Sequence, residues 1–132
     1  MNEATDTNGL RIHCVDKGEG PLVLLLHGFP EFSYSWRKVQ PQLAAAGFRA
    51  LAIDLPGYGE SSKPRGVDSY GIPSLVAHLA TFISGLSAQR PIFVVGHDWG
   101  GFIAWYLAML HPELVERLVI LNVPHPVPFA RE

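Results

Sequence analysis

Cysteine is close to absent, with Cys14 the single thiol among 132 residues. No internal disulfide is therefore possible, and the expected compartment is a reducing one, the cytoplasm. No apolar run approaches the roughly 20 residues that a membrane-spanning helix needs. Charge of either sign is sparse, with 10 Lys and Arg against 12 Asp and Glu for a formal net charge of -2. The basic residues are scattered, so nothing favours nucleic acid or an anionic membrane as a partner. Residues 1–9 are polar and acidic, unlike a signal peptide or a basic transit segment. Metal motifs are missing as well. His13, His78, His111 and His125 are not spaced as ligands, and neither a zincin helix motif nor paired cysteines occur, so no metal is expected. Gly57 to Lys63 lacks the spacing of a phosphate-binding P-loop, and Gly96 to Gly101 carries Asp98 where a dinucleotide fingerprint needs glycine, so no cofactor is expected either.

What is present is largely apolar. Hydrophobic residues make up 48% and charged residues 17%, a balance that suits one layered domain with a large interior. Asn8-Gly9 predicts a two-residue hairpin turn ahead of an alternating strand, Leu10 to Asp16, read as half of an antiparallel edge pair. Pro21 to Leu26 is a continuous apolar strand that stops at His27-Gly28-Phe29-Pro30. Trp36, Val39 and Leu43 predict a helix from Tyr34 or Ser35 to Ala46, with Gly47 as its stop. A strand over Phe48 to Ile53 enters a turn-rich loop from Asp54 to about Gly71. Leu75, Leu79, Phe82 and Leu86 mark a second helix over Pro73 to Leu86. Ile92 to Val95 reads as a central strand covered on both faces, Trp99 to Leu110 as a helix, Glu113 to Arg117 as a short turn and Leu118 to Leu121 as a last strand. Pro124, Pro126 and Pro128 exclude regular structure after it. Strands alternating with helices predict an α/β fold, a mostly parallel sheet with helices on both faces.

Function concentrates at the strand ends, because a parallel sheet offers its site beyond the carboxyl ends of its strands. Asp98 sits at a corner with no loop between strand and helix. Its carboxylate is either a helix cap or a nucleophile beside unpaired N–H donors. The glycines at 96, 100 and 101 favour the second, since a cap needs none of them and a helix start disfavours them. The backbone N–H groups of Phe29 and Trp99 are the candidates to converge beside Asp98 as an oxyanion hole. His27, Gly28, Pro30 and His97 are read as support for the pocket and its loops, with a structural hydrogen bond expected of His27 and a bracing role of His97. Asp54 is expected to tie down the Pro56-Gly57-Tyr58-Gly59 turn, and Trp105 to lie in the core.

These motifs carry a family resemblance. His27-Gly28-Phe29-Pro30-Glu31, Tyr34-Ser35-Trp36-Arg37, Gly57-Tyr58-Gly59-Glu60-Ser61, Gly96-His97-Asp98-Trp99-Gly100-Gly101 and Asn122-Val123-Pro124-His125-Pro126 resemble, in that order, the epoxide hydrolases of the α/β-hydrolase superfamily. The corner at Asp98 resembles the nucleophile elbow, with aspartate where the commoner form G-x-S-x-G has serine. The resemblance implies Asp98 as nucleophile, Phe29 and Trp99 as oxyanion-hole donors, and an epoxide and water as the reacting partners. It also implies that residues 1–132 are the N-terminal part of an α/β-hydrolase core domain that stops before the cap. The histidine base, its acid partner and two cap tyrosines of the family find no match, so the chain by itself is expected not to turn over. Haloalkane dehalogenases are the nearest alternative, but they typically carry an asparagine where this chain has Phe29. A third reading is a non-catalytic interaction module, and the edge of the last strand is expected to favour self-association.

Overall fold

Leu22–Leu26 has no polar side to turn toward water, and all five residues are buried. They form β3, at the interior of the sheet, in a computed structural model that describes residues 3–5, 9–86 and 91–126. The other strands are β1 (Glu3–Thr5), β2 (Arg11–Lys17), β4 (Arg49–Ile53), β5 (Ile92–His97) and β6 (Val115–Leu121). Together the six make one sheet in the order β1-β2-β4-β3-β5-β6. From β4 to β6 neighbours run parallel, whereas β2 is antiparallel to both β1 and β4.

Helices α2 (Ile72–Leu86) and α3 (Trp99–Leu110) cover one face. They bury Leu79, Ile83, Ile103 and Leu107 against Leu24, Leu26, Ile53 and Val94. On the other face Trp36, and Leu43 of the helix α1 (Val39–Ala45), pack on Val23, Leu25, Ala50 and Ala52. The expected α/β architecture is therefore present. Cover is uneven, however. Beyond β3, Phe93 and Val95 are only half buried on the α1 face, and Val119 and Leu121 of the edge strand are 49% and 40% exposed.

Four local readings need correction. The helix expected from residue 34 or 35 to 46 is two pieces, a 3-10 turn at Ser33–Trp36 and α1. Pro41 has no N–H to give Arg37 in an unbroken helix, so the chain restarts where Pro41 falls in the first turn. The last strand begins at Val115, not Leu118, because its register on β5 shifts between Ile92 and Phe93 and admits the residues read as a turn. That turn lies earlier, at Pro112–Leu114. The β1–β2 register pairs Thr5 with Arg11, antiparallel as expected of the edge pair. Asn8 itself lies outside the described residues, as do 127–132 with Pro128. The fourth is Trp105, expected in the core but half buried, packing on His125 with ring centroids 4.6 Å apart.

Candidate active site

Strand order places the site. The chain leaves β3 toward β4 and leaves β5 toward β6, on opposite sides, so a crevice opens between the carboxyl ends of β3 and β5. His27–Pro30 and Asp98 flank it. Gly100 is what allows the two ends to meet so closely: a Cβ there would run into the backbone carbonyls of Leu26 and His27. Gly28 serves the same approach, since its Cβ would lie 2.6 Å from that of Asp98.

Asp98 links β5 directly to α3 with φ 55° and ψ -120°, a conformation that non-glycine residues adopt at a cost. Its side chain does not cap α3. The carboxylate is turned across the crevice, where the Phe29 N–H, 69 residues away in sequence, donates to Oδ2 at 3.1 Å. The Phe29 N–H, and after it that of Trp99, hold the Asp98 carboxyl below its ordinary value of 3.8. The residue is exposed and stays ionised at neutral pH. A cavity of about 410 Å³ opens over it, lined by Phe29, Tyr58, Asp98, Trp99, Phe102 and Val123. Apart from the carboxylate its walls are mostly aromatic.

The residues beneath are tied together by hydrogen bonds. His27 is fully buried. Its Nε2 accepts the Leu55 N–H at 2.9 Å, so Nδ1 carries the proton and donates to the Gly28 carbonyl, also at 2.9 Å. Burial depresses the His27 pKa below 6.5, with smaller opposing effects from the Gly28 bond and nearby carboxylates. Asp54, 1% exposed, accepts the Ser33 N–H at 2.7 Å and the Glu60 N–H at 2.9 Å. It thus ties the Pro56–Gly59 turn to the stretch after Pro30. The Phe29–Pro30 peptide bond is cis. His97 lies with Nδ1 3.4 Å from Glu31 Oε1 and Nε2 3.4 Å from Asn122 Nδ2.

Glu31 is the residue that sequence reasoning passed over. Its Oε1 also accepts the Gly28 N–H at 3.2 Å, and its Oε2 accepts the Ser35 hydroxyl at 3.1 Å. Tyr58, Phe102 and Val123 were missed as well. Phe102 had a signal, standing three residues after Trp99 on the same helical face, and the rings stack at 6.0 Å. Val123 had none.

A model of the alpha/beta hydrolase fold matches residues 21–132. The chain belongs to the α/β-hydrolase fold family. This α/β hydrolase is 46% identical over 123 residues to an AB hydrolase superfamily protein of Bacillus subtilis, covering 92% of this chain and 43% of that protein. It is 47% identical over 116 residues to the bifunctional epoxide hydrolase 2 of Sus scrofa, covering 88% and 21%. A mutant epoxide hydrolase from Bacillus megaterium superposes on it with a TM-score of 0.91 at 42% identity, covering 98% of this chain and 45% of that one. The α/β hydrolase thus spans less than half of each of these three proteins. Among its described residues no helix is long and apolar enough to cross a membrane, and no cluster of His, Cys, Asp or Glu forms a metal site.

Proposed function

We propose that this chain supplies the nucleophile and oxyanion hole of an epoxide hydrolase, within the N-terminal part of its core domain. What supports this most directly is the bond from Phe29 N–H to Asp98 Oδ2, because it divides the carboxylate into two unlike oxygens. Oδ2 accepts the Phe29 N–H, and Oδ1 is taken as the one left for attack. Backside attack of Oδ1 on an epoxide carbon forms a C–O bond and breaks the ring C–O bond, leaving an alkoxide that takes a proton from a donor. The product on the enzyme is an ester whose carbonyl oxygen is the former Oδ2.

Water then adds to that carbonyl carbon, and the charge that develops on Oδ2 is stabilised by the Phe29 N–H that bonds it in the free carboxylate, with the Trp99 N–H as the second donor of the proposed oxyanion hole. Collapse releases a vicinal diol and restores the carboxylate. An aspartate is required, since a serine would leave an ether that water does not cleave. The proton donor and the base for water have no match among these residues, so the polypeptide alone accumulates the ester. The side chain of Phe29 offers no donor to a leaving halide, which ranks dehalogenation lower.

Intact-mass spectrometry with a reactive epoxide tests the proposal. The expected result is one adduct, localised to Asp98 and absent in Asp98→Asn, without sustained diol formation. Adducts of equal yield in Asp98→Asn refute the assignment of the nucleophile. Self-association through β6 is a separate proposal, motivated by the exposed Val119 and Leu121 on an edge strand.

A further inference from the structure

The chain does not leave β6 freely. Residues 122–126 turn over α3 as a strap, pinned at their start where the Asp98 N–H donates to the Leu121 carbonyl at 3.2 Å. Asn122 makes the turn with φ 65°, in the left-handed region that asparagine enters more readily than most residues. Val123 then lines the cavity over Asp98. Pro124 is exposed, and His125 lies against Trp105 of α3 with ring centroids 4.6 Å apart and planes at 59°. We infer that Trp105 and His125 are positioning residues for the reaction at Asp98, a clasp that fixes the strap to α3 and so holds Val123 in the cavity wall. The inference deepens the proposed reading of Asp98 and rests on it.

The strap is stiff, so a clasp at one residue acts on its neighbours. Pro124 and Pro126 fix their own φ, and each disfavours the helical region for the residue before it, Val123 and His125. Holding His125 therefore also holds Val123. Length leaves little slack either. From Leu121 to His125 the backbone reaches at most about 14 Å, while Trp105 stands six residues beyond Trp99 on α3, a rise of about 9 Å. Pro126, next in the chain, is buried.

Energetics suit a clasp better than a structural bolt. One aromatic contact shifts a local equilibrium by about 2- to 12-fold, enough to decide how often the wall is in place and too little to decide whether the chain folds. Exposure agrees. Asn122 and Pro124 are exposed and Val123 is only half buried, so the strap has no deep core of its own to hold it, and the ring on Trp105 carries a large share of its attachment.

NMR and the alkylation assay on the 132-residue chain decide the matter. In wild type, nuclear Overhauser cross-peaks join the His125 and Trp105 rings, and their absence overturns the inference. His125→Ala moves the Val123 methyl resonances. It lowers the rate at which 1,2-epoxyoctane alkylates Asp98 by about fivefold, while the rate with 1,2-epoxypropane, too short to lean on the wall, falls by less than about twofold. His125→Phe, which keeps a ring on Trp105, restores both the resonances and the rate. Unmoved Val123 resonances in His125→Ala, unchanged or equally lowered rates with the two epoxides, or no rescue by phenylalanine overturn the clasp and leave the Asp98 reading intact. Failure of both epoxides to alkylate wild type refutes that reading instead, and the cross-peaks and Val123 resonances then decide the clasp alone. If His125→Ala does not fold, the wild-type cross-peaks and Trp105→Leu, with the same two epoxides, decide it.

Discussion

Replacing His27 with leucine tests whether the floor of the site depends on one buried imidazole. At pH 8 the substitution leaves the buried Leu55 N–H without its acceptor, which costs roughly 1–3 kcal/mol. It also removes the Nδ1–H donor from the Gly28 carbonyl, worth about 1 kcal/mol. The expected loss is about 2–4 kcal/mol, and with a urea slope of roughly 1.5 kcal/mol per M the midpoint falls by about 1–3 M. The pH dependence has a definite sign. Because burial holds the His27 pKa below 6.5 in the fold, the folded state binds fewer protons than the unfolded one. Its contribution is whole above pH 6.5 and is lost as pH falls through the depressed value. The gap between wild type and His27→Leu therefore narrows from pH 8 to pH 5, as followed by circular dichroism in urea. A variant within about 0.5 kcal/mol of wild type at pH 8, or a gap that stays constant with pH, refutes the reasoning.

Gly100→Ala drives a methyl group into the Leu26 and His27 carbonyls; because backbone cannot yield there, urea unfolding should show a loss of about 3 kcal/mol or more. The rate of Asp98 alkylation, read by intact mass, should be flat from pH 8 to pH 5 and fall only below the ordinary carboxylate value, since the N–H groups of Phe29 and Trp99 hold the carboxyl beneath 3.8; a half-maximal rate near pH 6 contradicts this. Light scattering should find wild type associating with rising concentration and the double variant Val119→Lys, Leu121→Lys monomeric, because two charges on an exposed edge strand block pairing; a wild type that stays monomeric removes that proposal.

Much of this is legible in the sequence alone, for local reasons. Leu22 to Leu26 had nowhere to go but a buried strand, and α3 was bounded to the residue because Trp99 and Leu110 stand between a glycine corner and His111-Pro112. Errors arose where a local pattern met a constraint from elsewhere. The periodicity of Trp36, Val39 and Leu43 gave no weight to the missing N–H of Pro41, and the start of β6 was set by its register on β5. The role of Glu31 is not legible in sequence, because its bonds to Gly28 and Ser35 and its 3.4 Å approach to His97 lack any periodic signature.

By itself the sequence determined the kinds of element, their order, and the presence of an aspartate at a corner too glycine-rich to be a simple cap, because steric and hydrophobic preferences act over a few neighbouring residues. Only the tertiary structure decided that β3 lies between β4 and β5, that the crevice opens beside Asp98, and that one carboxylate oxygen meets an N–H from 69 positions away. Tyr58, Phe102 and Val123 joined the same wall on the same terms. Such meetings follow from how all the buried strands and helices share one interior, and no short stretch of chain encodes that arrangement.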